Sequence, residues 1–69
     1  MQLEKLTIPS LCEYFNDNRT VFGDILTWDM IKGEWCIYQR GKTLIQGKEK
    51  DAKRMMLKYI DIRIGTRSV

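Results

Sequence analysis

The chain has 69 residues, of which 43% are hydrophobic and 10% aromatic, and its formal net charge is +3. This length suits one small domain spanning residues 1–69, and the mixed charge with dispersed aromatic residues excludes a disordered chain. The sequence has no histidine and no apolar run long enough to cross a bilayer, which excludes Ser–His or Cys–His catalysis and a membrane span.

The charge is divided unevenly along the chain. Residues 1–39 carry three basic and six acidic side chains, a net of −3, whereas residues 40–69 carry nine basic and three acidic side chains, a net of +6. This asymmetry predicts an acidic partner for the second half of the chain. A solvated basic face without a ligand is the alternative interpretation.

The first predicted element is a short helix over residues 7–18, preceded by an arm or short strand at residues 1–6. Thr7 is a suitable N-cap and Pro9 falls in the first turn, where its missing N–H is not needed. One apolar stripe follows at spacings of three and four, formed by Ile8, Leu11 and Phe15. Residues 16–18 favour turns and end the helix, and residues 19–24 are a predicted loop.

Residues 25–46 are predicted to form three antiparallel strands joined by two-residue turns at Lys32-Gly33 and Arg40-Gly41. These turns place Trp28 opposite Ile37 and Ile37 opposite Leu44. Because side chains alternate along a strand, one apolar face then collects Leu26, Trp28, Met30, Trp35, Ile37 and Leu44. The opposite, mixed face collects Thr27, Asp29, Cys36, Tyr38, Thr43 and Ile45.

A second helix is predicted over residues 48–61, and residues 64–69 are expected to be a loose tail. Its core stripe consists of Ala52, Met55, Met56, Tyr59 and Ile60. Leu57 lies away from this stripe and is expected to be an exposed apolar residue. The fold class is therefore α+β, with a three-stranded antiparallel β-meander, a short N-terminal helix and a C-terminal amphipathic helix packed on one face of the sheet.

The start of the second helix combines basic side chains with free backbone N–H groups and the positive end of the helix dipole, all of which favour anions. The candidate phosphate-binding residues here are Lys48, Lys50, Lys53 and Arg54, with Arg40 and Lys42 expected to add charge from a nearby hairpin. Such contacts would be independent of base sequence and sensitive to salt. Trp28 and Trp35 are assigned to the core, and Tyr38 on the opposite face is the better candidate for stacking on bases.

No arrangement of residues indicates catalysis, so we expect neither an enzyme nor a cofactor. Cys12 and Cys36 are interpreted as two ordinary thiols in a reducing cytoplasm, with a single disulfide as the alternative. A zinc site is not expected, because the chain lacks both histidine and a Cys-x-x-Cys motif.

Two short motifs resemble the double-stranded RNA-binding domain across residues 7–60. Leu11-Cys12-Glu13-Tyr14 after Pro9 is similar to the first helix of that family, and Lys50-Asp51-Ala52-Lys53 after Gly47 is similar to the start of its second helix. The resemblance implies that Lys50 and Lys53, assisted by Lys48 or Arg54, hold phosphates across a major groove. It also implies that Glu13 contacts a minor groove.

The chain departs from that family at Lys32-Gly33, which replaces the longer loop with a Gly-Pro-x-His signature that reaches a second minor groove. Glu49 stands where the family usually has a lysine, and Met56 and Leu57 replace paired alanines. The second half of the chain also resembles the arm-site DNA-binding domains of phage-type integrases, which present an open sheet face to the major groove.

The sequence thus predicts a small nucleic-acid-binding module that binds duplex RNA or DNA. The alternative is a small regulator or inhibitor of the phage or mobile-element type, which would bind an acidic protein surface. A homodimer through an open sheet edge or Leu57 is compatible with either function.

Overall fold

The computed structural model describes residues 2–19 and 24–64. A short 3-10 turn at Leu3–Lys5 precedes helix α1 at Ile8–Asn18. Strands β1 (Leu26–Ile31), β2 (Glu34–Gln39) and β3 (Lys42–Gly47) follow, and helix α2 occupies Glu49–Ile64. The expected arm or strand at residues 1–6 is therefore a helical turn where it is described. The centre of the predicted loop, residues 20–23, lies outside the described residues, and so do residues 65–69 of the tail predicted at 64–69. The prediction is wrong at Ile64, which is the last residue of α2.

Helix α1 begins as its sequence predicts. The Thr7 side chain accepts a hydrogen bond from the Ser10 backbone N–H at 3.3 Å, and Pro9 lies in the first turn. The helix is joined to the sheet at its other end, where the Asn16 amide accepts from the Leu26 N–H at 2.7 Å and donates to the Leu26 carbonyl at 3.1 Å. Its buried residues are Ile8, Leu11, Cys12 and Phe15.

The three strands form an antiparallel sheet in the order β1-β2-β3. Lys32 and Gly33 have φ angles of 51° and 79°, and Arg40 and Gly41 have 54° and 76°, so both turns place two successive residues at positive φ. This is the geometry that a two-residue hairpin of type I′ requires. The predicted pairing at the first turn is confirmed, with Trp28 opposite Ile37.

The predicted pairing of Ile37 with Leu44 is wrong. Ile37 pairs with Ile45 and Tyr38 pairs with Thr43, so Leu44 is an extra residue that forms a β-bulge. As a result Ile45 is buried, with 6% of its surface exposed, while Leu44 is 38% exposed. Ile45 therefore takes the core position that uninterrupted alternation predicts for Leu44, and Leu44 takes the exposed position predicted for Ile45.

Both helices pack on one face of the sheet, as the predicted fold class requires. Side chains from α1, the sheet and α2 form one buried cluster of Ile8, Leu11, Cys12, Phe15, Leu26, Ile37, Ile45, Ala52, Met56 and Ile60. Trp28 and Trp35 pack against this cluster but are only half-buried. Met30, predicted to lie in the core, is 47% exposed because it stands next to the β1–β2 turn at the end of the sheet.

Helix α2 buries a narrower stripe than predicted. Ala52, Met56 and Ile60, spaced by four residues, are fully buried, whereas Met55 is exposed and Tyr59 is half-buried. The prediction that Leu57 is exposed is also wrong, since this residue is half-buried and packs against the core. The helix therefore leaves its Met55 side, and not its Leu57 side, open to contact.

The two cysteines are free thiols, and both are buried. Desolvation in the core raises the pKa of Cys12 from 9.0 to about 11, with a smaller contribution from the nearby negative charge of Glu13. Cys12 is therefore a neutral thiol near neutral pH, which fits packing in the core and not a reactive nucleophile.

The β-bulge can be tested by shortening its two apolar residues separately. Ile45→Ala should lower the free energy of unfolding by about 2–4 kcal/mol, because it leaves a cavity in the core. Leu44→Ala should lower it by less than about 1 kcal/mol, because this side chain already contacts solvent. Urea denaturation of both variants measures these changes. A larger loss of unfolding free energy for Leu44→Ala than for Ile45→Ala would support the pairing of Ile37 with Leu44 instead.

Candidate nucleic-acid interface

The start of α2 is held next to the end of β3. The Ala52 N–H donates to the Lys48 carbonyl at 2.8 Å, which makes Lys48 the residue from which the helix begins. Gly47 lies close to this first turn, and a Cβ atom built there would be 3.6 Å from the Asp51 Cβ. The last residue of β3 and the first turn of α2 therefore form one compact corner.

Four cations of this corner were predicted to bind phosphate, and we refer to Lys48, Lys50, Lys53 and Arg54 as the basic surface. Lys48, Lys50 and Arg54 are exposed, and Lys53 is half-buried. On a helix, Lys50 is a neighbour of both Lys53 and Arg54, because residues three and four apart have Cβ atoms about 5–6 Å from each other. The structure thus places Lys50, Lys53 and Arg54 at neighbouring positions of α2, and Lys48 immediately before the helix.

Acidic residues moderate the charge of the basic surface. Glu49 and Asp51 lie in the first turn of α2, where they interact favourably with the helix dipole. Arg54 approaches Asp51 at 3.4 Å, and both side chains are largely exposed, so this ion pair contributes little to stability. Within residues 2–19 and 24–64, no salt bridge involves Lys48, Lys50 or Lys53.

Arg40 and Lys42 do not join this surface, and the expectation that their hairpin lies nearby is wrong. Arg40 lies in the β2–β3 turn and Lys42 is the first residue of β3, whereas Lys48 follows the end of that strand. Six residues of extended chain, at about 3.3 Å each, separate Lys42 from Lys48 by roughly 20 Å. Because successive strands are antiparallel, the β2–β3 turn and the start of α2 are at opposite ends of the sheet.

Arg40 is instead part of an ion-pair cluster around Asp24. The Arg40 guanidinium lies 2.6 Å from the Asp24 carboxylate, and that of Arg63 lies 3.5 Å from it. Asp24 is buried, while both arginines are about half to two-thirds exposed. The cluster thus joins the segment that precedes β1, the β2–β3 turn and the last turn of α2.

Neutral hydrogen bonds extend this cluster into the core. The Gln39 side-chain amide donates to the Asp24 carbonyl at 3.0 Å and accepts from the Tyr59 hydroxyl at 2.9 Å. The Tyr59 ring packs 5.3 Å from the Phe15 ring and lies 5.8 Å from the Arg63 guanidinium. The ion pair with Asp24 and the packed neighbours of this cluster indicate that Arg40 has a structural role.

Glu13, the residue predicted to contact a minor groove, is exposed on α1. It belongs to a helix that packs against α2 and β1. The structure therefore leaves Glu13 available on the surface but on a different element from the basic surface.

The open face of the sheet, opposite the helices, has the wrong charge for the integrase-like mode of binding. Asp29 and Glu34 lie on this face, and Asp29 pairs with Cys36 across the strands. Desolvation, then the neighbouring Cys36 side chain and the charge of Asp29, raise the pKa of Tyr38. A ring that stacks on bases from here would be next to a carboxylate that repels phosphates.

An apolar groove between α2 and the edge strand β3 was not predicted. It has a volume of about 210 Å³, and we refer to it as the α2–β3 groove. Its lining residues are Leu44, Ile45, Met55, Lys58, Tyr59 and Ile62. The sequence signal was the recurrence of apolar residues at 55, 59 and 62, which continues past the predicted end of the core stripe.

Among the described residues, no group of three or more cysteine, aspartate or glutamate side chains is placed to hold a metal ion. No helix within 2–19 or 24–64 is long and apolar enough to cross a membrane. Comparisons with known protein families, curated proteins and solved structures found no match to this chain.

The role of Arg40 can be tested by a double-mutant cycle with Asp24. Asp24→Asn should lower the free energy of unfolding by about 1–3 kcal/mol, because a buried carboxylate that holds two arginines is lost. Arg40→Gln should cost less, and the double variant should show a coupling energy of about 0.5 kcal/mol or more. Lys42→Gln is the control and should change stability by less than about 0.5 kcal/mol. Additive effects of Asp24→Asn and Arg40→Gln would show that the pair does not stabilise the fold.

Proposed function

We propose that this chain is a small, non-enzymatic nucleic-acid-binding module that contacts backbone phosphates through the basic surface at the start of α2. The observation that carries this proposal is that exposed Lys50 lies one turn before exposed Arg54 on α2, while exposed Lys48 directly precedes the helix. Exposed charged side chains need little rearrangement to contact a phosphate. Each contact releases counterions from the nucleic acid, which favours binding.

A duplex is the preferred ligand. The α-β-β-β-α order and the placement of both helices on one sheet face are compatible with the double-stranded RNA-binding domain. In that resemblance, the lysines of the second helix bridge phosphates across a major groove, and Glu13 approaches a minor groove from α1. The two-residue turn at Lys32-Gly33 supplies no second minor-groove contact, so we expect a short binding site and modest affinity.

A protein-binding regulator is the second candidate, and the α2–β3 groove is the observation that favours it. Leu44, Met55 and Ile62 expose apolar surface in one place, as protein contact sites often do. Binding to an acidic protein would also use the basic surface. The two candidates differ in whether the purified chain binds nucleic acid by itself.

Titration of labelled duplex RNA, duplex DNA and single strands at two salt concentrations separates these candidates. About three phosphate contacts give a salt slope of about −2.7, so a fourfold rise in salt should weaken binding to a duplex by roughly 40-fold. No binding to any of these nucleic acids at low salt would rule out the proposed function and leave the protein-binding candidate.

Two charge reversals locate the binding surface. Lys50→Glu should weaken duplex binding by about tenfold and reduce the salt slope by about one or more, because a phosphate contact is replaced by a repulsive charge. Lys42→Glu changes the net charge equally but lies at the other end of β3, so it should weaken binding far less. Fluorescence anisotropy measures both variants, and equal losses would mean that only net charge matters.

A further inference from the structure

Helix α2 carries two separate sets of apolar residues. Ala52, Met56 and Ile60 are fully buried in the protein's own core. Met55, Tyr59 and Ile62 follow at spacings of four and three and line the α2–β3 groove. Spacings of four and three are those that a helix uses to pack on another helix. The core of this chain buries this second set only in part, since Ile62 is 68% exposed and Met55 is 37% exposed.

The sheet extends this apolar surface. Leu44, displaced outwards by the β-bulge, lines the groove together with Ile45, and β3 is an edge strand of the described sheet. The exposed apolar residues Leu44, Met55 and Ile62 are therefore contiguous. Contiguous apolar surface on a small domain is a feature of interfaces.

The charges beside the groove indicate which partner fits. At 100° per residue, Asp51, Met55, Lys58 and Ile62 form one row along α2, with Asp51 and Lys58 of opposite sign and two turns apart. A row of this kind complements itself when reversed. If two α2 helices pack antiparallel, Asp51 faces Lys58 of the partner subunit and Lys58 faces Asp51 of the partner subunit.

Other occupants fit the groove less well. An acidic peptide would be attracted by Lys58 but repelled by Asp51, and a basic peptide would meet the reverse. Asp51 also forms an ion pair with Arg54, but this pair is weak, because it spans 3.4 Å and both side chains are exposed. Asp51 can therefore leave Arg54 and pair with Lys58 of the partner subunit.

We propose that the α2–β3 groove is a homodimer interface, in which α2 packs antiparallel against α2 of a second copy. With Asp51 facing Lys58 of the partner subunit, the two-fold axis passes beside Met55, so the Met55 side chains of the two subunits pack against each other, and Ile62 of each subunit lies against the start of the other α2. The contact is isologous and closes on itself, which limits the assembly to two chains. It does not depend on the proposed nucleic-acid binding, but it would bring two basic surfaces onto one particle.

Sedimentation equilibrium of the full chain, without nucleic acid and from micromolar to millimolar concentration, tests this proposal. The wild type should reach twice the mass of one chain at the upper concentrations. Ile62→Lys should raise the dissociation constant of the dimer by about tenfold or more, because a lysine would have to be buried at the interface. Circular dichroism should show an unchanged fold, since Ile62 lies outside the core.

Ile31→Lys is the matched control. It makes the same substitution at an isoleucine that is 44% exposed on the open face of the sheet, and it should leave the dissociation constant unchanged. A wild type that remains monomeric at millimolar concentration would overturn the proposal. So would a dimer that Ile62→Lys and Ile31→Lys weaken equally.

Charge reversal tests the antiparallel arrangement. Asp51→Lys and Lys58→Asp should each weaken the dimer, because each places like charges opposite one another. The double variant Asp51→Lys/Lys58→Asp should recover much of the lost affinity, since the row again carries one charge of each sign. If the double variant dimerises no better than the single variants, the pairing of Asp51 with Lys58 across the interface is wrong.

Discussion

The packing of one stripe of α2 against the centre of the sheet determines how the rest of this molecule is arranged. Ala52, Met56 and Ile60 lie in the same buried cluster as Ile37 and Ile45. Once this stripe faces the sheet, the rotation of the helix is fixed, because its side chains repeat every 3.6 residues. The basic surface is then turned to solvent, and the second apolar set is turned towards the edge of β3. The surface features of α2 thus follow from a contact in the core.

Much of the fold could be predicted from local chemistry. The two glycine turns require positive φ, and they determine the pairing of β1 with β2 and the first pairs of β2 with β3. The β-bulge could not be predicted in this way, because Leu44 and Ile45 are both apolar and either suits the core. Contact with α2 selects Ile45, and this tertiary contact has no local signature. Met30 illustrates the same limit, because strand alternation does not show where the helices stop covering the sheet.

The candidate site was predicted in part. The lysines at the start of α2 are neighbours along a helix, so their clustering follows from sequence spacing alone. Arg40 was assigned to the same site because its charge suits phosphate. Its pairing with Asp24 joins residues 16 positions apart, and sequence spacing does not show such a contact. The α2–β3 groove was missed because Met55 and Tyr59 were included in a single core stripe that is wider than one helix buries here.

Amide chemical shifts test most directly whether phosphates bind at the first turns of α2. A short RNA duplex is added at low salt to the labelled protein, and the shifts of its backbone amides are followed. We predict that the largest changes fall on residues 48–54, with little change at Cys36 and Tyr38 on the open face of the sheet. Changes confined to the open face, with residues 48–54 unaffected, would contradict it.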